Sequence, residues 1–132
     1  DYSDLISLDN VLSVLGDFGY DLYFKLVNAI IDKNDREIIS LVDTLYSNGN
    51  DLVLFIDQFL VFLLDLTKYI IFNSFDVISI PKSYKDSIDY AVNVEENKKY
   101  YNHLVNKVLE IKQAIKGDSL IKTTVQIMLL QL

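Results

Sequence analysis

The side chains able to do chemistry are few in this sequence, and they are spaced poorly for doing it together. His103 is the only histidine, and there is no cysteine. A zinc site takes several ligands from Cys, His and carboxylates, so one imidazole lacks the second strong ligand that would anchor a metal. Glu95 and Glu96 precede it at the wrong spacing for the Glu-x-x-His pattern of bundle di-iron sites. His103 therefore reads as a surface or rim residue. Nucleophilic catalysis needs a base and an orienting group beside the hydroxyl, and Thr123 and Thr124 have no such partner in the sequence. The pairs Asp17/Asp21 and Glu95/Glu96 read as solvated helix ends, because negative charge is favourable near a helix N-terminus. The four glycines, at 16, 19, 49 and 117, form neither GxxxxGK[ST] nor GxGxxG, so no phosphate-cradling loop is present. Gly16-Asp17-Phe18-Gly19 reads as a helix stop followed by a turn.

Cations gather in one place. Lys98, Lys99, Lys107, Lys112 and Lys116 share a segment with Tyr100 and Tyr101, a mixture that can hold single-stranded nucleic acid by charge and stacking. The net charge of −7 opposes that use, since phosphate binding runs on Lys and Arg releasing counterions. The segment reads instead as the polar face of an amphipathic helix, and no direct nucleic-acid contact is expected. The apolar run Leu52–Phe72 is interrupted by Asp57, Asp65 and Lys68, and falls short of the roughly 18 uninterrupted apolar residues a membrane span needs. The chain opens on Asp1 with no basic-then-apolar leader, and is expected to be a piece excised from a longer protein.

The elements that must position these residues are helical. Of 132 residues, 51% are hydrophobic, enough for a sizeable core without staples. One Pro and few Gly favour helices, and apolar residues recur at helical spacing. Ser7 caps a first helix with Leu8, Val11, Leu12 and Leu15 on one face, stopped by Gly16. A second runs from about Asp21 to Asp32, striped by Tyr23, Leu26, Val27 and Ile30. Asn34 with Glu37 forms a capping box for a third, striped by Ile38, Leu41, Val42 and Leu45 and ended by Gly49. Asn50 or Asp51 caps a fourth helix that reaches Phe72. Its apolar residues spread nearly all round, so it must be covered all round: either it is the central helix of the domain, or part of it is covered by another chain.

Asn73–Lys82 is an irregular stretch pinned by Phe75, Val77, Ile78 and Ile80. Ser83 with Asp86 caps a short helix bearing Tyr84, Ile88, Ala91 and Val92. Asn93 with Glu96 caps a long one that reaches Lys116 with Tyr101, Leu104, Val105, Val108, Ile111 and Ile115 in line. Gly117 stops it, and Asp118 or Ser119 caps a last helix bearing Val125, Met128, Leu129 and Leu132. The expectation is one all-α domain over residues 1–132, a compact bundle of six or seven helices. Phe55, Phe59, Phe62, Tyr69 and Phe72 are too many aromatics for one small core layer, and aromatics of this kind also anchor interfaces, so they read either as core alone or as core plus interface. With Met128 of the last helix they are the candidate interface residues. No catalytic, cofactor-binding or metal-binding residue is assigned.

The order of these features resembles a known family. VLSVLG (Val11–Gly16), DLYFKLVNAI (Asp21–Ile30), LYSNG (Leu45–Gly49), DLVLFIDQFLVFLLDL (Asp51–Leu66) and VQIMLLQL (Val125–Leu132) are similar to the third, or collar, domain of the bacterial DNA polymerase III gamma/tau subunit. The likeness covers nearly the whole chain and rests on helix order, glycine placement and apolar texture. The chain departs from the family at Gln126, where a Glu is usual, and near Gln131, where a basic residue is usual. It has no Arg in the fourth helix. The resemblance implies an oligomerisation domain that holds the clamp loader together in the bacterial cytoplasm, with other clamp-loader subunits, and at times its own kind, as partners. It implies no enzyme activity in this piece. ATP, magnesium and zinc belong to upstream modules of a parent ATPase subunit of the DNA-directed DNA polymerase. Read from the residues, other possibilities stay open: the collar of a delta or delta-prime subunit, an unrelated helical interaction domain, a single-strand binder, or a small helical enzyme in which Asp65, Lys68 or His103 converge.

Overall fold

The computed structural model describes residues 19–132. Those residues form six α-helices and two 3-10 turns, with no strand among them. The helices are α1 (Tyr20–Ile31), α2 (Asp35–Ser47), α3 (Leu52–Phe72), α4 (Lys85–Ala91), α5 (Asn97–Ala114) and α6 (Ile121–Leu130). The all-α expectation holds. The helix expected over Leu8–Leu15 and its stop at Gly16 lie outside the described residues.

Local chemistry sets the boundaries. At the end of α1, Asn34 N–H bonds Ala29 O at 2.8 Å and Lys33 N–H bonds Ile30 O at 3.2 Å. This is a Schellman closure with Lys33, at φ 57°, where Gly is usual. The closure halves the expected capping box. Asn34 Oδ1 does accept from Glu37 N–H at 3.2 Å, but the Asn34 N–H is already committed to Ala29, and the Glu37 carboxylate lies 3.7 Å from Lys25 Nζ instead. The same closure recurs after α2, where Gly49 sits at φ 80° and Asn50 N–H bonds Leu45 O at 3.0 Å. Asp51 then caps α3 by accepting from Val53 N–H at 2.9 Å and Leu54 N–H at 3.2 Å.

Two expected caps do not form. Tyr84 N–H bonds Pro81 O at 3.0 Å, closing a 3-10 turn over Lys82–Tyr84, so Ser83 lies inside a turn and α4 begins at Lys85. Asn93 N–H bonds Tyr90 O at 3.3 Å and so belongs to the end of α4. The cap of α5 falls to Glu96 at φ 52°, without a side-chain bond. At α6, Asp118 organises the turn rather than the helix start. Its carboxylate accepts from Leu120 N–H at 2.8 Å and from the Thr124 hydroxyl at 2.6 Å.

The core sits around α3, which packs most extensively on α5. Tyr101, Leu104, Val108 and Ile111 fill the α5 side of that contact. Tyr101 is fully buried and donates its hydroxyl to Ala91 O at 2.6 Å. α1 joins α2 and α4, and α2 joins α6. A polar clasp fixes the last of these contacts: Gln126 Nε2 donates to Ile39 O at 3.1 Å and to Asp43 Oδ1 at 2.8 Å, and Lys122 Nζ lies 3.3 Å from Asp43. The Gln126 hydrogen bond, then Lys122, holds the Asp43 carboxyl below its usual range.

Candidate protein-interaction surface

α3 has two faces of different character. Inward, Phe55, Ile56, Phe59, Phe62, Leu63 and Leu66 are buried. The aromatics among them do not crowd one layer, because α1 supplies rings to interleave with them. Tyr23 lies 5.8 Å from Phe55 and 5.4 Å from Phe62. Phe24 meets Phe62 edge-on at 4.9 Å, and Phe59 stacks with Phe62 at 6.0 Å. Tyr84, from the turn before α4, stacks on Phe24 at 5.6 Å. Offset and edge-on contacts of this kind add stability beyond area burial.

This placement corrects the sequence-based assignment of interface residues. Phe55, Phe59, Phe62 and Tyr69 point into the domain's own core, because α1, the Phe75 turn and α5 together cover that side. Tyr69 packs on Phe75 at 5.3 Å. Met128 is partly buried against the core. Phe72 alone of the six stands open, at 60% exposure.

Outward, α3 shows Val53, Val61 at 59% exposure, Leu64, Ile71 and Phe72. Every one of them lies three or four residues from Asp57 or Lys68, so they share one face. The sequence reading placed apolar residues all round this helix but named aromatics rather than these aliphatics as the candidate contact residues. The signal was the pair of charges: in a helix apolar nearly all round, Asp57 and Lys68 mark the line that faces out. Asp57 takes a bond from Lys112 Nζ of α5 at 2.6 Å, an exposed pair of small energetic weight. A second apolar face lies on the outside of α6, formed by Leu120, Ile127 and Leu130.

Among the described residues the side chains able to do chemistry stand apart from one another. Asp65 is buried and accepts from Ser79 N–H at 3.1 Å, pinning the segment 73–80 to α3; Ile80 of that segment is buried, whereas Val77 is exposed. Lys68 sits on the outer face and His103 is exposed on α5, so these three residues do not converge. Thr123 is exposed, and the Thr124 hydroxyl is spent on Asp118. Among the described residues no group of His, Asp and Glu could hold a metal ion, and no helix is long and apolar enough to cross a membrane. The lysines of α5 are partly neutralised by pairing, Lys99 with Glu96 at 3.9 Å, Lys107 with Glu110 at 3.8 Å and Lys112 with Asp57. A shallow depression along α2 is lined by Asp35, Arg36, Ile39, Ser40, Asp43 and Thr44, all from one helix.

What the geometry offers is a helical scaffold with two apolar outer faces. The family model described as DNA polymerase III subunits gamma and tau domain III matches residues 6–129. The chain belongs to this family. No curated protein and no solved structure matches it. The gamma and tau domain III match spans α1 to α5 in full and α6 as far as Leu129, so it includes the outward face of α3 and, on α6, Leu120 and Ile127 but not Leu130.

Proposed function

We propose that this chain is the oligomerisation, or collar, domain of a clamp-loader gamma/tau subunit, joining sister subunits into the complex that places the sliding clamp on DNA. One observation carries the reading: α3 is the central helix of the bundle, yet its outer face keeps five large apolar side chains uncovered. Burying a half-exposed side chain of this size stabilises by roughly 1 kcal/mol, so the face supplies about 5 kcal/mol. Association costs about 4–15 kcal/mol, so the contact needs a partner that brings comparable apolar surface. A subunit within a ring touches two neighbours and needs two different faces, and the outside of α6 is suited to be the second.

On this reading the domain works by packing alone and takes no cofactor. ATP, magnesium and zinc act in other modules of the subunit, the other clamp-loader subunits are its partners, and the site of action is the bacterial cytoplasm. Val61, Leu64, Ile71 and Phe72 carry the α3 contact, with Leu120, Ile127 and Leu130 on α6. Size-exclusion chromatography with light scattering, run on this chain mixed with the delta and delta-prime subunits, tests it. A stable mixed complex that Leu64→Asp abolishes is expected. A chain that stays monomeric in the mixture overturns the proposal.

A further inference from the structure

Asn48-Gly49 is the one place in the sequence where glycine follows asparagine. The backbone nitrogen of the next residue can attack an asparagine side chain. Attack is easiest before glycine, which sets no Cβ beside that nitrogen and leaves the backbone wide freedom. Asparagine is accordingly among the thermolabile residues. Both residues are exposed here, and the space beside Gly49 is open. The closed turn nonetheless holds them in the wrong geometry for attack. Asn48 has ψ 6°, which keeps Gly49 N nearly eclipsed with the Asn48 backbone nitrogen and turned away from the Asn48 side chain. Three hydrogen bonds fix this arrangement. Gly49 N–H donates to Tyr46 O at 3.0 Å, Asn50 N–H to Leu45 O at 3.0 Å, and Asn50 Nδ2 to Leu45 O at 3.2 Å.

We infer that Asn48 is a site of spontaneous conversion to aspartate and isoaspartate, gated by opening of the α2–α3 turn. Once the turn opens, Gly49 N gives its proton to solvent and bonds to Asn48 Cγ. The bond from Cγ to the side-chain nitrogen breaks, and that nitrogen takes up a proton and leaves as ammonia. Water then opens the cyclic imide. Addition at Cγ leaves aspartate. Addition at the backbone carbonyl leaves isoaspartate, whose main chain runs through Cβ and Cγ and is longer by one atom. Either product sets a new negative charge at the C-terminal end of α2, where the helix dipole opposes it. Isoaspartate also carries Asn50 away from Leu45 O, so the closure that leads into the Asp51 cap of α3 does not re-form. The reaction thus traps in the open form a turn that had to open for it to occur, and aged molecules enter α3 through a loosened turn.

Peptide mass spectrometry on this chain, aged at neutral pH both folded and in urea, tests the inference. The peptide holding Asn48 should gain one mass unit, and an isoaspartyl methyltransferase should label the product. The folded chain reacts only from its open fraction, so it should convert at least roughly tenfold more slowly than the chain in urea. Asn50→Ala removes the side-chain bond to Leu45 O and should speed conversion of the folded chain roughly two- to tenfold, the weight of one net hydrogen bond, with no effect in urea. Thermal unfolding checks the fold of that variant. Hydrogen exchange of the Gly49 amide in the unaltered chain reads the gate without any substitution: below the unfolding transition, exchange and conversion should rise together as urea is added. Asn48→Gln, whose longer side chain closes a larger ring, should show no mass gain in this peptide. No conversion at Asn48 in urea, or a gain that persists in Asn48→Gln, overturns the site. Equal rates in the folded chain and in urea, or conversion that does not rise with Gly49 exchange, overturns the gate.

Discussion

Phe62 and Phe72 lie on one helix and differ chiefly in what covers them. Phe62 is 2% exposed and Phe72 is 60% exposed. Phe62 has Tyr20, Tyr23, Phe24 and Phe59 within 6.4 Å of its ring centre. Phe62→Ala therefore removes a fully transferred side chain, leaves a cavity that four rings cannot collapse into freely, and loses several ring–ring contacts. Such truncations cost about 3–5 kcal/mol, and the ring contacts place this one near the upper end. Against a total stability of about 5–15 kcal/mol, that is a large share. With a urea dependence near 1.5 kcal/mol per molar, the unfolding midpoint should fall by about 3 M. Phe72→Ala, by contrast, should cost about 0.5 kcal/mol, as surface changes do, and move the midpoint by less than about 0.5 M. Its effect should appear in association with partner subunits. Urea unfolding followed by far-ultraviolet circular dichroism measures the first quantity, and light scattering of mixtures the second. Equal midpoint losses in the two variants would refute the division of α3 into an inner and an outer face. So would a Phe62→Ala chain that unfolds at the wild-type midpoint yet fails to associate.

Three further outcomes follow from particular contacts. Asp65→Ala strips Ser79 N–H of its acceptor and should cost about 1–3 kcal/mol, with hydrogen exchange speeding up first in residues 73–80. Glu96→Gly relieves a left-handed residue at φ 52° and offsets the greater freedom Gly gives the unfolded chain; a rise in melting temperature of a few degrees is expected in calorimetry. Acid should loosen α6 before the core. The Thr124 hydroxyl, then Leu120 N–H, holds the Asp118 carboxyl below its ordinary 3.8, and Gln126 with Lys122 does the same for Asp43. A carboxyl depressed on folding stabilises above its unfolded value and loses that contribution as pH falls through the folded one, so the loss should begin below about 3.8 and be read from α6 amide resonances between about pH 5 and 2.

The helical frame was legible because its signals are local. Gly49 and Asp51 end and cap their helices as the sequence implied, and Asn34 does so through its side chain alone, its N–H going to Ala29 rather than to Glu37. The stripe Tyr23, Leu26, Val27 and Ile30 is buried as its spacing required. The boundaries at Ser83 and Asn93 were misread because two turn signals competed at each, and the carbonyls of Pro81 and Tyr90 took the donors first. The larger miss concerned Phe55, Phe59 and Phe62. An excess of aromatics looks like an interface when one helix is read alone, and the rings of α1 and Tyr84 that absorb them lie far along the chain or come from another element. Val61, Leu64 and Ile71 were hidden by the opposite effect, since they resemble core. Only the positions of Asp57 and Lys68 on the same helix distinguish them, and that distinction needs the helix phase before it can be used.

The most direct measurement is a hydroxyl-radical footprint of side chains, taken on the free chain and on the complex it forms with delta and delta-prime subunits. Val61, Leu64, Ile71 and Phe72 should be oxidised in the free chain and protected in the complex, while Tyr90, exposed on α4, stays reactive in both. If the four α3 side chains react equally in the free and assembled states, the outer face of α3 is not what joins the subunits.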